Sequence, residues 1–433
     1  MTNQPTLSAL CDGLLLYGGL SRDSILARLA RVSGELQRGQ AKHAYDARVQ
    51  VRRLAELAAQ LGLAGDVWQK YLCRLLLAEE NAYSLSIERS GAPEASVDAL
   101  ARADFAAFFA LFHYDFAAEP DLLSAMGAEA MAMLKDFHPA SAPAPEALRI
   151  DALHAALSAA ADAEAFQAAA RQAITSGGVG LFGLRRAFRV AEEGGRPVLE
   201  PVVEDSVTLD SLVGYERQKQ ALLRNTKAFV AGRPFNNMLL YGDAGTGKST
   251  SVRALLPAYG GQGLRLVELY KHQLHLLTGL ITLLRARPYR FLILIDDLSF
   301  EEDEVGYKYL KAVIEGGAEA RPANVMLCAT SNRRHLIRET WSDRDDMEHD
   351  GDIHRSDTMQ EKLSLAGRFG CLIAFAKPDR ALWREMVLTL ASRVPGLSLS
   401  DDDLLAAATR YELRHGGISG RVAQQFVNEV SGG

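Results

Sequence analysis

A glycine-rich segment that follows an apolar run constrains the fold of this chain more than any other feature. The segment reads Gly242-x-x-x-x-Gly247-Lys248-Ser249, and residues 235–241 before it have the character of a short buried strand. Glycines let backbone N–H groups turn inward onto a polyphosphate, and the start of the following helix adds partial positive charge. A lysine at this spacing reaches the β- and γ-phosphates. The pattern is a Walker A motif, and it predicts a strand, a phosphate-binding loop and a helix.

The same segment predicts which residues hold the nucleotide. The Ser249 hydroxyl is expected to bind Mg²⁺, because the hydroxyl that follows the motif lysine ligates the metal of a bound nucleotide. The predicted nucleotide contacts within the loop are Gly242, Asp243, Ala244, Gly245, Thr246, Gly247, Lys248, Ser249 and Thr250. The sequence therefore predicts a protein that binds a nucleoside triphosphate with Mg²⁺.

Two adjacent carboxylates close a second apolar run. Residues 291–295 are consecutive apolar residues, typical of a strand buried on both faces, and Asp296 and Asp297 follow directly. Carboxylates at the end of a buried strand are costly unless they have a function. The pattern is a Walker B motif. It predicts that Asp296 joins Ser249 at the Mg²⁺ and that Asp297 orients or deprotonates the attacking water.

A third apolar strand also ends in polar residues. Residues 325–329 are apolar, and Thr330, Ser331 and Asn332 follow them. Asn332 is expected to hydrogen-bond the γ-phosphate or the attacking water; a plain strand-end cap is the alternative. Strands and helices alternate through residues 206–378, which predicts a parallel sheet with helices on both faces.

Composition and helical periodicity divide the whole chain into four regions. They are a helical N-terminal region at 1–138, a linker with two helices and a β-hairpin at 139–205, an α/β nucleotide-binding domain at 206–378 and a helical lid at 379–433. In the first region Ser24, Asp66 and Ser96 are expected to cap helices. The aromatic residues between 105 and 116 are expected to lie in its core.

Charge and cysteine usage exclude several classes of protein. Of the 433 residues, 48% are hydrophobic and 24% are charged, as in ordinary soluble proteins. Residues 1–205 hold 19 basic and 26 acidic side chains, which argues against a general nucleic-acid coat. The four scattered cysteines indicate buried thiols in a reducing compartment, and no apolar run is long enough to span a membrane. We therefore expect a cytoplasmic protein without membrane contact.

Together these motifs resemble those of the AAA+ ATPases. An Arg-Phe pair before the last strand and an arginine that opens a lid helix complete the likeness. Residues from about 180 to 431 are similar to an uncharacterised bacterial AAA+ family, domain of unknown function 815. The phrases that carry this likeness are Asp296-Asp-Leu-Ser-Phe-Glu301, Thr330-Ser-Asn-Arg-Arg-His-Leu336, Glu361-Lys-Leu-Ser-Leu365, and Ser419-Gly-Arg421 with Gln425-Phe426. The resemblance implies an α/β fold: an AAA+ parallel sheet with a C-terminal helical lid, preceded by an all-α N-terminal region.

The resemblance also implies roles for residues outside the two Walker motifs. It makes Asn332 the sensor 1 residue and Arg421 the sensor 2 residue. Arg368 is similar to the arginine finger that reaches the nucleotide of a neighbouring subunit. Val213 and Gly214 fall in the segment that packs on adenine in the family.

The sequence is thus interpreted as a Mg²⁺-ATP-dependent ATPase that forms a homo-oligomeric ring and remodels a protein client. Water positioned by Asp297 and Asn332 is expected to attack ATP held between subunits, and a lid tied to the phosphates by Arg421 to transmit the movement. A nucleic-acid loader and a nucleotide-gated scaffold with little turnover are the alternatives. Asp297 stands where most AAA+ members have glutamate, so the residues predict ATP binding more firmly than the rate of hydrolysis.

Overall fold

The chain divides into two compact units. The computed structural model describes residues 4–40, 42–300, 306–315, 322–332, 365–397 and 399–432. The units are Met1–Arg185 and Arg186–Gly433. The segment predicted as a linker with two helices and a hairpin, 139–205, is shared between them. Its helices pack in the first unit, and its hairpin joins the sheet of the second.

Eleven α-helices make up the described part of the first unit. They are α1 (Leu7–Asp12), α2 (Ile25–Gln37), α3 (Ala44–Leu61), α4 (Val67–Ala78), α5 (Ala82–Ser90), α6 (Ala95–Phe112), α7 (Pro120–Met126), α8 (Ala128–Lys135), α9 (Pro145–Ser158), α10 (Ala163–Gly177) and α11 (Gly180–Leu184). Ser24 and Asp66 cap α2 and α4 as predicted. The prediction for Ser96 is wrong, because α6 starts one residue earlier and Glu94 occupies its N-cap position.

An aromatic cluster forms the centre of the first unit. Phe105, Phe108 and Phe112 on α6 are at most 2% exposed, as expected for core residues one helical turn apart. Tyr17 meets Phe108 edge-on, with ring centroids 5.1 Å apart. Phe166 on α10 meets Phe112 in the same way at 5.4 Å. This shared core is why the helices predicted as part of a linker belong to the first unit.

The second unit is organised around a seven-stranded sheet. Its strands are β1 (Ala187–Glu193), β2 (Arg196–Pro201), β3 (Met238–Gly242), β4 (Leu264–Leu269), β5 (Arg290–Ile295), β6 (Val325–Ser331) and β7 (Cys371–Phe375). Their order is β2-β1-β4-β5-β6-β3-β7, and β1–β2 is the antiparallel pair while the other neighbours are parallel. Strand β6 lies between β3 and β5, so the segments that follow these three strands emerge side by side at one edge of the sheet.

The predicted β-hairpin is β1 and β2. Gly194 and Gly195 both have positive φ, 55° and 78°, as a two-residue hairpin turn of type I′ requires. Strand β1 also pairs in parallel with β4, with Phe188 opposite Val267. The hairpin therefore extends the nucleotide-binding sheet beyond the α/β domain boundary predicted at residue 206.

Helices cover the sheet and form a separate helical group at the end of the chain. They are α12 (Glu216–Val230), α13 (Lys248–Arg253), α14 (Leu255–Tyr259), α15 (Leu277–Arg285), α16 (Gly306–Glu315), α17 (Arg380–Ser392), α18 (Asp401–Arg414) and α19 (Gly420–Gly432). The last three, α17–α19, form the region predicted as a lid and are called the lid; they pack around Trp383, Val387, Leu404 and Phe426, all nearly fully buried. Among the helices described for both units, none has the length and apolar character needed to cross a membrane.

Candidate nucleotide-binding site

The phosphate loop joins the carboxyl end of β3 to α13, the strand–loop–helix arrangement that its sequence predicts. A Cβ atom on Gly242, where φ is 134°, would lie 2.0 Å from the carbonyl oxygen of Phe375 on β7. Gly245 and Gly247 also have positive φ, 74° and 87°. Side chains at these positions would clash or strain the backbone, so the loop path requires glycine.

The other loop residues keep this path closed on itself. Thr246 is buried, and its hydroxyl donates to the carbonyl oxygen of Asp243 at 2.9 Å. Ala244 is exposed at the outer side of the loop, and Thr250 lies in the first turn of α13. Asp243 and Ala244 of the loop are therefore exposed to solvent, while Thr246 is buried.

Lys248 lies at the centre of the site. Its ammonium group donates to the carbonyl oxygens of Gly242 and Asp243, at 2.8 and 2.7 Å, and to Oδ1 of Asn332 at 3.0 Å. The residue is 7% exposed. Burial lowers the pKa of its ammonium, and the carboxylates of Asp243, Asp297 and Asp296 oppose that shift. The lysine is thus held over the loop with all three of its N–H donors engaged.

Asp243 links the loop to the end of the last strand. Its backbone N–H donates to the carbonyl oxygen of Phe375 at 3.2 Å. Its carboxylate Oδ2 accepts from the backbone N–H of Lys377 at 2.9 Å. Because Lys377 lies between β7 and α17, Asp243 connects the phosphate loop directly to the chain segment that enters the lid.

Asp296 gathers hydroxyl donors from two other elements. Its Oδ1 accepts from the Ser249 hydroxyl of α13 and, at 2.5 Å, from the Thr330 hydroxyl of β6. Thr330 is 2% exposed, and its hydroxyl oxygen in turn accepts from the backbone N–H of Asp297 at 3.0 Å. The residues of the two Walker motifs are therefore in direct contact, and Thr330 contacts both acidic residues.

Asp297 and Asn332 form the next pair along the edge of the sheet. The Asn332 side-chain amide donates to Asp297 Oδ1 at 2.9 Å. Asp297 has a positive φ of 51°, a conformation that aspartate tolerates better than glutamate or branched residues. This turn of the backbone aims the carboxylate at the tip of β6 rather than along its own strand.

The start of α19 packs on the phosphate loop. The backbone N–H of Arg421 donates to the carbonyl oxygen of Gly245 at 3.2 Å. A Cβ atom on Gly245 would lie 3.0 Å from the Ser419 hydroxyl oxygen and 3.2 Å from Cβ of Arg421. The charge of Arg421 also acts on Lys248, whose pKa it lowers after the larger effect of burial. The predicted sensor 2 arginine thus lies beside the loop.

Val213 and Gly214 lie between the sheet and the lid. Val213 packs against the apolar core of the lid. Gly214 has a positive φ of 79°, and a Cβ atom there would lie 2.5 Å from Leu382 of α17. Tyr215 next to them donates from its hydroxyl to the carbonyl oxygen of Ala376 at 2.9 Å. The segment expected to pack on adenine therefore lies at the joint between the nucleotide-binding domain and the lid.

Arg368 lies near the amino ends of the parallel strands, whereas the phosphate loop of its own chain follows the carboxyl end of β3. It precedes β7, which is parallel to and in register with β3, with Cys371 opposite Met238. Gly370 packs on the side chain of Asn236, which precedes β3. A five-residue strand spans roughly 17 Å, so the amino ends of these strands are remote from the loop. The structure brings the other predicted catalytic residues together but not Arg368.

Three functional candidates escape the sequence motifs: Thr330, Arg253 and Glu268. Arg253 on α13 donates from Nε to Glu268 Oε1 at 2.7 Å, and its Nη2 lies 3.4 Å from Asp296 Oδ2. Spacing could have indicated two of them, Arg253 and Thr330. Arg253 is four residues after Ser249, on the same face of α13, and Thr330 of β6 is two residues before Asn332.

The residues around Asp296 suit a magnesium ion held mainly by its nucleotide. Within the described ranges no group of three or more histidine, cysteine or acidic residues is arranged to hold a metal by itself. Mg²⁺ in phosphoryl-transfer sites instead takes one or two protein oxygens together with phosphate oxygens and water. The Ser249 hydroxyl and the Asp296 carboxylate, already in contact, supply such a pair.

Comparison with known families adds to this geometry. Residues 184–433 match the family described as "Protein of unknown function (DUF815)", which is more than half of the chain. The chain belongs to the DUF815 family. The predicted resemblance to this family is therefore confirmed. The predicted α/β fold class is confirmed as well: a mostly parallel sheet with helices on its C-terminal side and an all-α N-terminal region. Parts of the matching phrases, residues 301, 333–336 and 361–364, lie outside the described residues.

This DUF815 protein is also similar to solved structures, at low sequence identity. The Thermotoga maritima RuvB Holliday junction branch migration motor is 15% identical, with a TM-score of 0.35, over 51% of this chain and 63% of that chain. Two variants of the same motor are each 16% identical, with a TM-score of 0.36 and the same coverage. The chain thus spans less than two thirds of the length of these structures. No curated protein matches it.

Proposed function

We propose that this DUF815 protein is a Mg²⁺-dependent ATPase that works as a homo-oligomeric ring and remodels a protein client. One observation carries the enzymatic part. Lys248, Asp296, Asp297 and Asn332 lie beyond the carboxyl ends of three neighbouring strands and, through Thr330, form one connected set of hydrogen bonds at the phosphate loop. Such convergence of an ammonium group, two carboxylates and an amide is what phosphoryl transfer requires.

The loop and its lysine bind the triphosphate in this proposal. The backbone N–H groups of residues 244–248 enclose the β-phosphate, and the Lys248 ammonium exchanges its bonds to loop carbonyl oxygens for bonds to phosphate oxygens. Ser249 and Asp296 hold the metal. When bound, Mg²⁺ neutralises charge that develops on the phosphate oxygens.

Asp297 and Asn332 act on the attacking water. The Asp297 carboxylate orients the water and accepts its proton, and the Asn332 amide fixes that carboxylate through the 2.9 Å hydrogen bond. Lys248 donates to the side-chain oxygen of the same amide. Loss of the γ-phosphate, which changes the contacts of Lys248, should therefore also shift the Asn332 amide and the Asp297 carboxylate.

Arg421 and Arg368 complete the site from two sides. Arg421 enters from the lid, whose α19 donates to the carbonyl oxygen of Gly245. Arg368 lies at the far edge of its own sheet, so it serves the nucleotide of a neighbouring subunit. A finger that acts between subunits makes an oligomer necessary for turnover.

The proposed client is a protein, recruited through the helical first unit. That unit has its own hydrophobic core, and residues 1–205 carry more acidic than basic side chains, which disfavours binding to the phosphate backbone of nucleic acid. The four cysteines are free thiols, which is compatible with a reducing compartment such as the cytoplasm.

Phosphate release and a pull-down test the two parts of the proposal, with the parent chain and two variants. The full chain should release phosphate from ATP in the presence of Mg²⁺, and EDTA should abolish the release. The Asp297→Asn variant, loaded with ATP, should retain a client in a pull-down from which Lys248→Ala recovers none. Phosphate release that is absent at every protein concentration would overturn the ATPase assignment. Capture of nucleic acid in place of a protein would overturn the client class alone.

A further inference from the structure

The two oxygens of the Asp296 carboxylate have different surroundings. Oδ1 accepts from two neutral hydroxyls, those of Ser249 and Thr330. Oδ2 instead faces a cation, with Arg253 Nη2 at 3.4 Å. The hydroxyls orient the carboxylate without changing its charge, whereas the guanidinium partly neutralises it.

Arg253 is held more firmly by a second carboxylate. Its Nε donates to Glu268 Oε1 at 2.7 Å. Glu268 is on β4, opposite Leu294 of β5. Leu294 is two residues before Asp296, so Glu268 lies close to the end of the sheet at which Asp296 emerges. Asp205 adds a further charge interaction with the same guanidinium. Arg253 is therefore shared between the carboxylate predicted to serve the metal and a carboxylate that has no other assigned role.

Burial decides how strongly these charges act on one another. The side chains of Arg253, Glu268 and Asp296 are 31%, 18% and 38% exposed. Charges a few ångströms apart interact several-fold more strongly near a protein surface than in bulk water, and these partly exposed side chains lie between those two environments. A change of one unit charge is therefore large enough to alter metal binding measurably.

We propose that Arg253 is a positioning residue that sets the Mg²⁺ affinity of the site, and that Glu268 controls how strongly Arg253 acts on Asp296. This inference rests on the proposed Mg²⁺-ATP function. The guanidinium competes with Mg²⁺ for the negative charge of Asp296 and repels the ion directly. Glu268 draws the guanidinium toward β4 and offsets part of its charge, which leaves Asp296 available to the metal.

The proposal predicts opposite effects for the two partners. Arg253→Gln removes the competing charge and should lower the Mg²⁺ concentration at half-saturation by about three- to tenfold. Glu268→Gln leaves the guanidinium with Asp296 as its nearest carboxylate, and should raise that concentration by a similar factor. The double variant should behave like Arg253→Gln, because Glu268 acts through Arg253. Arg253→Lys, which keeps the charge, should stay closer to the parent than Arg253→Gln does.

A Mg²⁺ titration tests this with binding as the readout. Binding of a fluorescent ATP analogue to the full chain is followed by anisotropy as Mg²⁺ is added, for the parent and the four variants. Thermal unfolding of each variant checks that it is folded. A merely structural ion pair would make both single substitutions weaken Mg²⁺ binding together, or move neither, and either result overturns the proposal.

The same titration separates this inference from the function on which it rests. If the parent binds the analogue with a clear Mg²⁺ requirement but the variants shift together, the role of Arg253 fails and the nucleotide site stands. If the parent binds no analogue, or binds it without any Mg²⁺ dependence, the proposed function fails and the inference fails with it.

Discussion

The Asn332 side-chain amide donates to the Asp297 carboxylate at 2.9 Å, which joins the first residue after β6 to the second residue after β5. The amide can make this bond only with its nitrogen toward Asp297, since its oxygen accepts from Lys248. Both heteroatoms of one amide are thus used, which fixes its orientation. The Asp297 carboxylate is thus oriented before any nucleotide arrives, as the proposed mechanism requires of the group that positions the attacking water.

Neutralising Asp296 and neutralising Asp297 should affect ATP binding and hydrolysis differently. Asp297→Asn keeps an oxygen that can accept from Asn332, so ATP binding should stay within about twofold of the parent while hydrolysis falls by roughly 10²–10⁴. Asp296→Asn removes the charge that serves the metal, so Mg²⁺-dependent binding should fall as well. Isothermal titration and phosphate release measure the two effects. Equal loss of binding in both variants would contradict this division of roles.

Restoring the glutamate common in AAA+ proteins should not improve this protein. Asp297 has a φ of 51°, and left-handed backbone costs about 1–2 kcal/mol for residues other than glycine, asparagine and aspartate. Asp297→Glu should therefore lower the free energy of unfolding by about 1 kcal/mol, without a gain in turnover. Asp297→Asn, which tolerates the same backbone, is the matched control. Urea unfolding with an unchanged m-value is the measurement, and a Glu variant as stable as the parent would refute the argument.

Lys248→Ala should abolish nucleotide binding and leave the first unit folded. Charged hydrogen bonds contribute about 1.5–3 kcal/mol each, so losing contacts to two phosphates should weaken ATP binding by at least 10²-fold. The helical first unit has its own core, which does not include Lys248. The far-ultraviolet circular dichroism of the Lys248→Ala variant should therefore stay close to that of the parent. Unchanged ATP affinity would show that the phosphate loop does not bind the nucleotide.

Much of the site could be predicted from sequence because its determinants are local. The Walker A spacing specifies the loop path, since Gly242 leaves no room for a side chain beside Phe375. The apolar run at 291–295 predicts a strand buried on both faces, and β5 is buried along that run. Each of these inferences uses fewer than ten consecutive residues.

Other features depend on which distant segments meet, and no local pattern reports that. The contact of Arg253 with Glu268 joins α13 to β4, which the sequence separates by ten residues from the end of one to the start of the other. The sequence of β1 and β2 predicts an ordinary hairpin, and nothing in it shows that β1 also pairs in parallel with β4. The helices of 145–177 join the first unit because Phe166 completes its aromatic core, while the proline-rich stretch before them suggested a boundary. Long-range packing decides all three.

Asp243 should couple the phosphate loop to the lid through one hydrogen bond. Its carboxylate accepts from the backbone N–H of Lys377, and Asp243→Ala removes that acceptor. ATP affinity should fall about fivefold, which corresponds to about 1 kcal/mol for one bond to a charged group at an exposed site. Asp243→Asn keeps an acceptor oxygen and should retain affinity within about twofold. If both variants lose affinity equally, the charge of Asp243 matters and the bond to Lys377 does not.

Arg368 should act on a neighbouring subunit, because it precedes the amino end of β7, a strand roughly 17 Å long, whereas its own phosphate loop follows the carboxyl end of the neighbouring β3. ATPase activity per subunit should therefore rise with protein concentration. Arg368→Ala should bind ATP normally and lose most of its activity, since a finger of this kind contributes roughly 10³–10⁵ in rate in other phosphoryl-transfer enzymes. Phosphate release across a protein dilution series, with ATP binding measured in parallel, checks both statements.

A mixing experiment decides whether the arginine acts between subunits. Arg368→Ala binds ATP but lacks the finger, and Lys248→Ala lacks the nucleotide but keeps the finger. Each variant alone should be inactive, while an equimolar mixture should recover a fraction of the parent activity, because a Lys248→Ala subunit lends Arg368 to a neighbour that holds ATP. The competing hypothesis is that Arg368 pairs with Glu361 of its own chain, a residue outside the described ranges. In that case the mixture recovers nothing, and activity per subunit is the same at every protein concentration.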